Sequence, residues 1–177
     1  MSAIAIRLRP VEDPDFAAIA ALTNVYINTT VVHFGYEPVK ADELRDAWRA
    51  KRTLYPYLVA VDDHGDFLGY AKAGPWRERA AYQWSVETGI YVVERAHGCG
   101  VGRTLYAALI DACRERGFHS AIGGITMPND ASVRLHEALG FQQIATFRQA
   151  GWKFGAWHDV AFFQLTLRDG SHVAAAL

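Results

Sequence analysis
The chain has 177 residues, 51% of them apolar, and a formal net charge of −1 at pH 7. That length and apolar share suit one compact domain with a sizeable core, and the balanced charge gives no bulk attraction to nucleic acid or to an anionic membrane. Cys99 and Cys113 are too few and too poorly spaced for a disulfide framework or a zinc site, no apolar run is long enough to cross a bilayer, and the start, with Arg7, Arg9 and Glu12, lacks a signal-peptide layout, so a cytoplasmic protein without a metal is expected.

Residues 4–8 alternate apolar and polar, as a half-buried strand does, and residues 10–13 then open a helix whose apolar stripe is Phe16, Ile19, Ala20, Leu22, Thr23 and Tyr26. Residues 29–39, with Phe34 and Tyr36 between turn formers, read as a loop, and residues 41–52 as a helix with Leu44 and Trp48 on one side. Strands over 57–61 and 67–74 make a hairpin around Asp62–Asp63–His64–Gly65–Asp66. A long strand over 84–93 runs into a glycine loop, and the helix over 104–116 carries Leu105, Leu109, Ile110 and Cys113 inward, with Gly117 at its C-cap. A strand over 121–126 is stopped by Met127–Pro128–Asn129–Asp130, which caps a helix over 131–139 that Gly140 ends. Strands over 141–147 and 160–167 close the sheet. Residues 169–177 read as a frayed tail, so a single α+β domain is expected over 1–168.

Residues 91–105 spell an apolar strand, a glycine-rich turn and a helix start, the order that makes an anion site. Glycines at 98, 100 and 102 let the backbone turn tightly, so that amides between Gly98 and Thr104, through Cys99, Gly100, Val101, Gly102 and Arg103, converge on a phosphate. A Walker loop would need Gly at 97 and Lys at 103, where His97 and Arg103 stand; a dinucleotide fingerprint would need a small residue at 103. An ordinary strand-to-helix turn remains the alternative on this segment alone.

The words His97–Gly98–Cys99–Gly100–Val101–Gly102, Tyr82–Gln83–Trp84–Ser85–Val86–Glu87, the run from Pro128 to Phe141 and the run from Ala150 to Val160 together resemble one branch of the GNAT superfamily, the phosphinothricin and methionine sulfoximine N-acetyltransferases. The likeness runs from about residue 6 to 167; His97 departs from the Gln or Arg that usually opens the family's coenzyme A loop. It implies a single GNAT-type domain: a central mixed, mostly antiparallel, splayed sheet flanked by helices. It implies acetyl transfer from acetyl-CoA to the primary amine of a small amino-acid-like acceptor, commonly by a homodimer.

The resemblance also assigns roles. Glu87 is the base that removes a proton from the acceptor ammonium, its pKa raised by partial burial among Trp84, Ile90 and Tyr91, the alternative being a strand-edge glutamate in water. A splay near Tyr91, Val92 and Val93 holds the pantetheine arm and aims a free N–H at the oxyanion. His136 stands where many members put a Tyr, and is general acid, second base or a core histidine. Asn129 is a helix cap and a contact to the cofactor, and Arg103 faces phosphate. Arg77, Arg79 and Tyr82 line the acceptor pocket or form a solvated hairpin tip, and Phe34 and Tyr36 are an aromatic wall or simple loop packing; Trp152, Lys153, Phe154 and Trp157 lie near that pocket or a dimer contact. Competing functions are a non-catalytic acyl-CoA-binding module, against which Glu87 argues, transfer to a peptide or protein amine, which would need an open groove where the arginines and the aromatic loop point to a closed pocket, and transfer to another amine such as a polyamine.

Overall fold
A computed structural model describes residues 5–168, so the beginning of the first expected strand and the expected tail lie outside the described residues. Seven strands form one sheet: β1 (Arg7–Pro10), β2 (Tyr57–Val61), β3 (Phe67–Pro75), β4 (Ser85–Val92), β5 (Ser120–Thr126), β6 (Gln142–Lys153) and β7 (Ala156–Thr166). Their order is β1–β2–β3–β4–β5–β7–β6, and only β4 and β5 run parallel. Four helices cover the sheet: α1 (Phe16–Thr29), α2 (Ala41–Arg49), α3 (Val101–Glu115) and α4 (Asp130–Ala138). Among the described residues no helix is long and apolar enough to cross a membrane.

Each face of the sheet has its own core. Phe16, Ile19 and Leu22 of α1 pack on Val59 and Tyr70, with Leu44 and Trp48 of α2 alongside. On the other face Leu105, Leu109 and Cys113 of α3 meet Ala71, Val86, Ala121 and Phe163. Full burial of a side chain of that size contributes about 1.5–3 kcal/mol, which is why the 3.6-residue apolar stripes decide which way each helix turns. Burial pushes the Cys113 thiol up to about 12, so it is an inert core group.

Several boundaries differ from the sequence reading, among them β1, which runs Arg7–Pro10 where 4–8 was expected. A 3-10 turn, Asp13–Asp15, precedes α1 and takes the capping box with Glu12, and Ile27 rather than Tyr26 takes the last buried position of the stripe. Helix α2 ends at Arg49. Helix α3 begins three residues early, at Val101, because Gly100 adopts the left-handed conformation (φ 83°) and serves as its N-cap. The largest difference is at the end of the chain, where β6 and β7 extend into a long hairpin turned by Phe154 (φ 50°) and Gly155 (φ 75°). A two-residue turn with both φ positive is usually written Asn-Gly or Asp-Gly, and Phe-Gly carries no such signal.

Strand β1 is tied to the start of α1 by a forked ion pair: Arg9 donates from both terminal nitrogens to the two oxygens of Asp15, each at 2.7 Å, and the Glu12 amide donates to the same carboxylate at 2.7 Å. Desolvation pushes the Asp15 pKa up, but the Arg9 and Glu12 hydrogen bonds and the guanidinium charge outweigh it and hold the carboxyl below its usual value. The pair therefore stabilises the fold fully above the ordinary Asp pKa and stops doing so as pH falls through the lowered one. Asp15→Asn is expected to cost about 1–2 kcal/mol in urea denaturation at pH 7, and the gap between variant and parent should close on going toward pH 2.

Candidate active site
Strands β4 and β5 are joined by only three pairs, Ser85 with Ser120, Val86 with Ala121 and Glu87 with Ile122. Beyond them β4 continues to Val92 paired with β3 alone, and β5 continues to Thr126 paired with β7 alone. The strands part into a wedge that begins at Thr88, earlier than the expected splay at residues 91–93. Val93 donates its amide to Leu68 of β3 at 2.9 Å, and Trp76 donates to Ser85, so alternation turns the N–H groups of Ile90 and Val92, beyond the last β4–β5 pair, toward the wedge. Backbone groups in that position need a partner that no strand supplies.

A buried hydrogen-bonded column stands behind the fork. Thr88 Oγ1 lies 3.2 Å from the Ile122 carbonyl and 2.7 Å from the Tyr106 hydroxyl of α3, which lies 3.0 Å from His136 Nε2 of α4. The other ring nitrogen of His136 is 2.8 Å from the Ser132 carbonyl, which only accepts, so Nδ1 carries the hydrogen and Nε2 receives the Tyr106 O–H. His136 is 4% exposed, and desolvation, partly offset by the Ser132 carbonyl, holds its pKa below the usual histidine value. A Cβ on Gly123, the β5 residue where the strands part, would lie 2.5 Å from His136 Nε2. Only glycine lets the imidazole lie so close to that strand.

The wedge opens toward the N-terminus of α3. Positive φ at Gly98 (73°) and Gly100 (83°) turns the chain into the helix. The first amide there with a helical acceptor is that of Thr104, on Gly100 at 3.0 Å; those of Val101, Gly102 and Arg103 are the free donors of a helix start, at the positive end of its dipole. The Cα of Gly102 faces β4 and α4, since a Cβ there would stand 3.7 Å from Leu135 and 3.8 Å from Val92. The Val101 side chain is wholly buried, whereas Arg103 and Thr104 are exposed. His97 turns away from this row: its Nε2 is 3.0 Å from the Val92 carbonyl and 3.3 Å from the Tyr26 hydroxyl, and the Cys99 thiol donates to the His97 carbonyl at 3.6 Å. Unpaired wedge amides leading to a row of helix-start amides fit an extended amide-bearing arm that ends in a diphosphate, as in an acyl-coenzyme A. Asn129 caps α4 through its side chain, which accepts from the Ser132 amide at 3.1 Å.

The opposite face of β4 floors a cleft of about 790 Å³. Cross-strand pairing sets Gly74 beside Glu87, Lys72 beside Gly89 and Tyr70 beside Tyr91, so glycines alternate with functional side chains along the floor. A Cβ on Gly74 would meet nothing within 4 Å, and one on Gly89 only the Tyr91 ring at 3.7 Å; the missing side chains are the cavity. Phe34 and His33 of the loop after α1, Trp48 of α2, and Phe147 and Phe162 of the terminal hairpin wall it. Asn24 holds that loop shut through hydrogen bonds to both backbone groups of Val39, at 2.8 and 3.0 Å. Lys153, 2% exposed, fastens the hairpin to the loop through the carbonyls of Ile27 (2.6 Å) and His33 (2.5 Å), and desolvation lowers its pKa.

Glu87 is the one acid among the described residues lining the cleft, against Lys51, Lys72 and Arg77. Desolvation raises its pKa above the usual glutamate value, and the charges of Arg77 and Lys72 partly counter that. Burial, helped by Lys72 and Lys153, lowers the pKa of His33. The cleft thus brings together Glu87, Arg77, Phe34 and Tyr91. Tyr36, Arg79 and Tyr82 are not among its walls: the Tyr36 hydroxyl donates to the Trp152 carbonyl, Arg79 precedes a 3-10 turn, and Tyr82 is exposed. Lys72 and His33 were missed by the sequence reading. For Lys72 a signal existed, a lone charge inside the otherwise apolar strand Phe67–Pro75.

Residues 19–141 match the acetyltransferase (GNAT) family. The chain belongs to that family. As a GNAT protein it is an acyltransferase, and its relatives share nearly its whole length. It is 44% identical over 159 residues, 90% of this chain and 86% of the relative, to a phosphinothricin N-acetyltransferase of Streptomyces viridochromogenes. To an L-methionine sulfoximine/L-methionine sulfone acetyltransferase of Salmonella typhimurium it is 41% identical, over 88% of this chain and 92% of that one. Among solved structures, a Salmonella typhimurium protein with its cofactor acetyl-CoA superposes with a TM-score of 0.92 at 36% identity, covering 97% of this chain and 99% of the other. A phosphinothricin acetyltransferase of Sinorhizobium meliloti in complex with acetyl-CoA gives 0.90 at 32% identity, over 95% and 91% of the two chains.

Because nothing stands over Gly74, Gly74→Val is expected to fold with little change in Tm while its side chain fills the floor beside Glu87. Steady-state kinetics should show the acceptor KM raised about tenfold or more, with the KM for the acyl donor nearly unchanged.

Proposed function
We propose that this GNAT enzyme transfers the acetyl group of acetyl-CoA directly to the primary amine of a small amino-acid-like acceptor held in the cleft, with Glu87 as the base. The observation that carries the reading is the place of Glu87: it is the last β4 residue paired with β5 and it points into the cleft. A donor entering the wedge and an acceptor in the cleft meet beside that carboxylate. The names of the relatives, phosphinothricin and methionine sulfoximine/sulfone acetyltransferases, supply the acceptor class.

Acetyl-CoA, when bound, supplies an acetyl group activated as a thioester. The free amides of Val101, Gly102 and Arg103 would hold its diphosphate, with the Arg103 and Asn129 side chains at the sides, and the wedge between β4 and β5 would take its arm. The Ile90 amide, the first one turned to the wedge beyond the last β4–β5 pair, is the donor best placed to bind an oxyanion developing near Glu87. An amino-acid ammonium has no lone pair, so Glu87 takes a proton from it, directly or through water, and its raised pKa brings it nearer the pH at which such a transfer is efficient. Arg77 and Phe34 orient the acceptor, and Tyr91, edge-on to Tyr26 and stacked on Tyr70, closes the floor. His136 acts by position: both its nitrogens are engaged, and its link to the site passes through Tyr106 and Thr88.

A thiol-release assay with acetyl-CoA tests the reading: turnover with phosphinothricin or methionine sulfone is expected, and tight acetyl-CoA binding without turnover of any amine would overturn it. Glu87→Gln should lower kcat about 100-fold at pH 7 and regain part of the loss at high pH, where the amine loses its proton unaided. The parent rate should fall as pH drops through the Glu87 pKa, above the ordinary value of about 4.3, and the variant should lack that limb. His136→Gln should slow turnover yet keep the same acidic limb, because its ring does not face the acceptor.

A further inference from the structure
Lys72 stands on the cleft floor in the middle of the glycine chequerboard. It pairs with Tyr57 of β2 on one side and with Gly89 of β4 on the other, so the flank toward β4 carries no side chain, and Glu87 with its own empty partner Gly74 is the next pair on the same face. A diagonal neighbour of that kind is about 7–8 Å away between Cα atoms, a span that a small amino acid bridges. No carboxylate lies within 4.0 Å of the Lys72 ammonium among the described residues, and its side chain is exposed to the open cleft. The walls that remove water from it lower its pKa, while Glu87 acts from a distance to raise it. An exposed ammonium on the floor of a cleft walled by apolar side chains, with no carboxylate beside it, is placed to bind an arriving anion.

Glu87 contributes one negative charge to the cleft, and Lys72 and Arg77 two positive ones, with Lys51 adding a third from the wall. The guanidinium of Arg77 is spread over the Trp76 ring at 4.5 Å, which leaves its edge free for one carboxylate. An α-amino acid with a neutral side chain presents one ammonium for Glu87 and one carboxylate for a single cation, leaving the other unmatched. An α-amino acid that ends in a second acid matches all three.

We infer that Lys72 is a specificity residue that binds the side-chain anion of the acceptor, so that this enzyme prefers α-amino acids carrying a terminal carboxylate or phosphinate over isosteres with a neutral side-chain end. The inference rests on the cleft being the acceptor site, and it goes further by assigning the second anion to Lys72.

The test compares phosphinothricin, whose side chain ends in an anion, with methionine sulfone, whose side chain ends neutral. Wild-type kcat/KM should favour phosphinothricin about tenfold or more; equal or reversed preference overturns the inference without any variant. Lys72→Met keeps the length and removes the charge. It should raise the KM for phosphinothricin about 10- to 100-fold with kcat little changed, shift methionine sulfone less than about threefold, and leave acetyl-CoA binding by calorimetry intact. Lys72→Arg should restore part of the preference. Equal losses on both acceptors, or none on either, would assign Lys72 to support of Glu87 or to the fold and refute the inference. If the wild-type enzyme acetylates neither compound, the acceptor reading itself fails, and that result is distinct from turnover of both with an unchanged ratio.

Discussion

The parting of β4 from β5 after three pairs governs what this molecule can do. A parallel pair that stayed zipped to the ends of both strands would satisfy its own backbone and leave no entry between the two halves of the sheet. Separation at Thr88 and Gly123 converts strand amides into free donors, aims the opening at the first turn of α3, and leaves Glu87 as the last paired residue on the cleft side. Donor channel, anion grip and base therefore all take their positions from one break in the sheet.

A break of this kind has to be held open at one width, and the buried column from Ser132 through His136 and Tyr106 to Thr88 and Ile122 spans it from behind. Each polar group in that column has a partner, so it joins α3, α4, β4 and β5 without leaving an unsatisfied atom inside. The column also accounts for Gly123, where any side chain would strike the imidazole. His136 stands out in the sequence as a candidate acid or base; in the fold its two nitrogens are both engaged in the core.

The cleft on the other face is made as much by what is missing as by what is present. Gly74 and Gly89 remove side chains from the floor, and the freed volume lies among Glu87, Lys72 and Arg77. Its roof comes from distant parts of the chain: the loop after α1, closed by Asn24 on Val39, and the terminal hairpin, pinned to that loop by Lys153. The tryptophan-rich end of the chain thus contributes mainly a fastening, with Trp152 and Trp157 packed edge to face on its exposed side.

Local chemistry carried by consecutive residues is legible in the sequence alone. Gly98–Cys99–Gly100–Val101–Gly102 has to turn tightly into a helix whatever surrounds it, the stripes of α1 and α3 have to face a core, and Asn129 has to cap α4, because each is decided within a few residues by backbone freedom, periodicity or a side-chain oxygen. Relations between segments are not legible in that way. That the splay starts at Thr88, that Lys72 and Glu87 share a floor emptied by Gly74 and Gly89, that Tyr36 and Arg79 lie outside the cleft, and that Lys153 is buried all depend on strand register and on which loop crosses which face. Register couples residues tens of positions apart through packing and pairing, and a one-residue slip sends every side chain to the opposite face, so only the assembled sheet decides it.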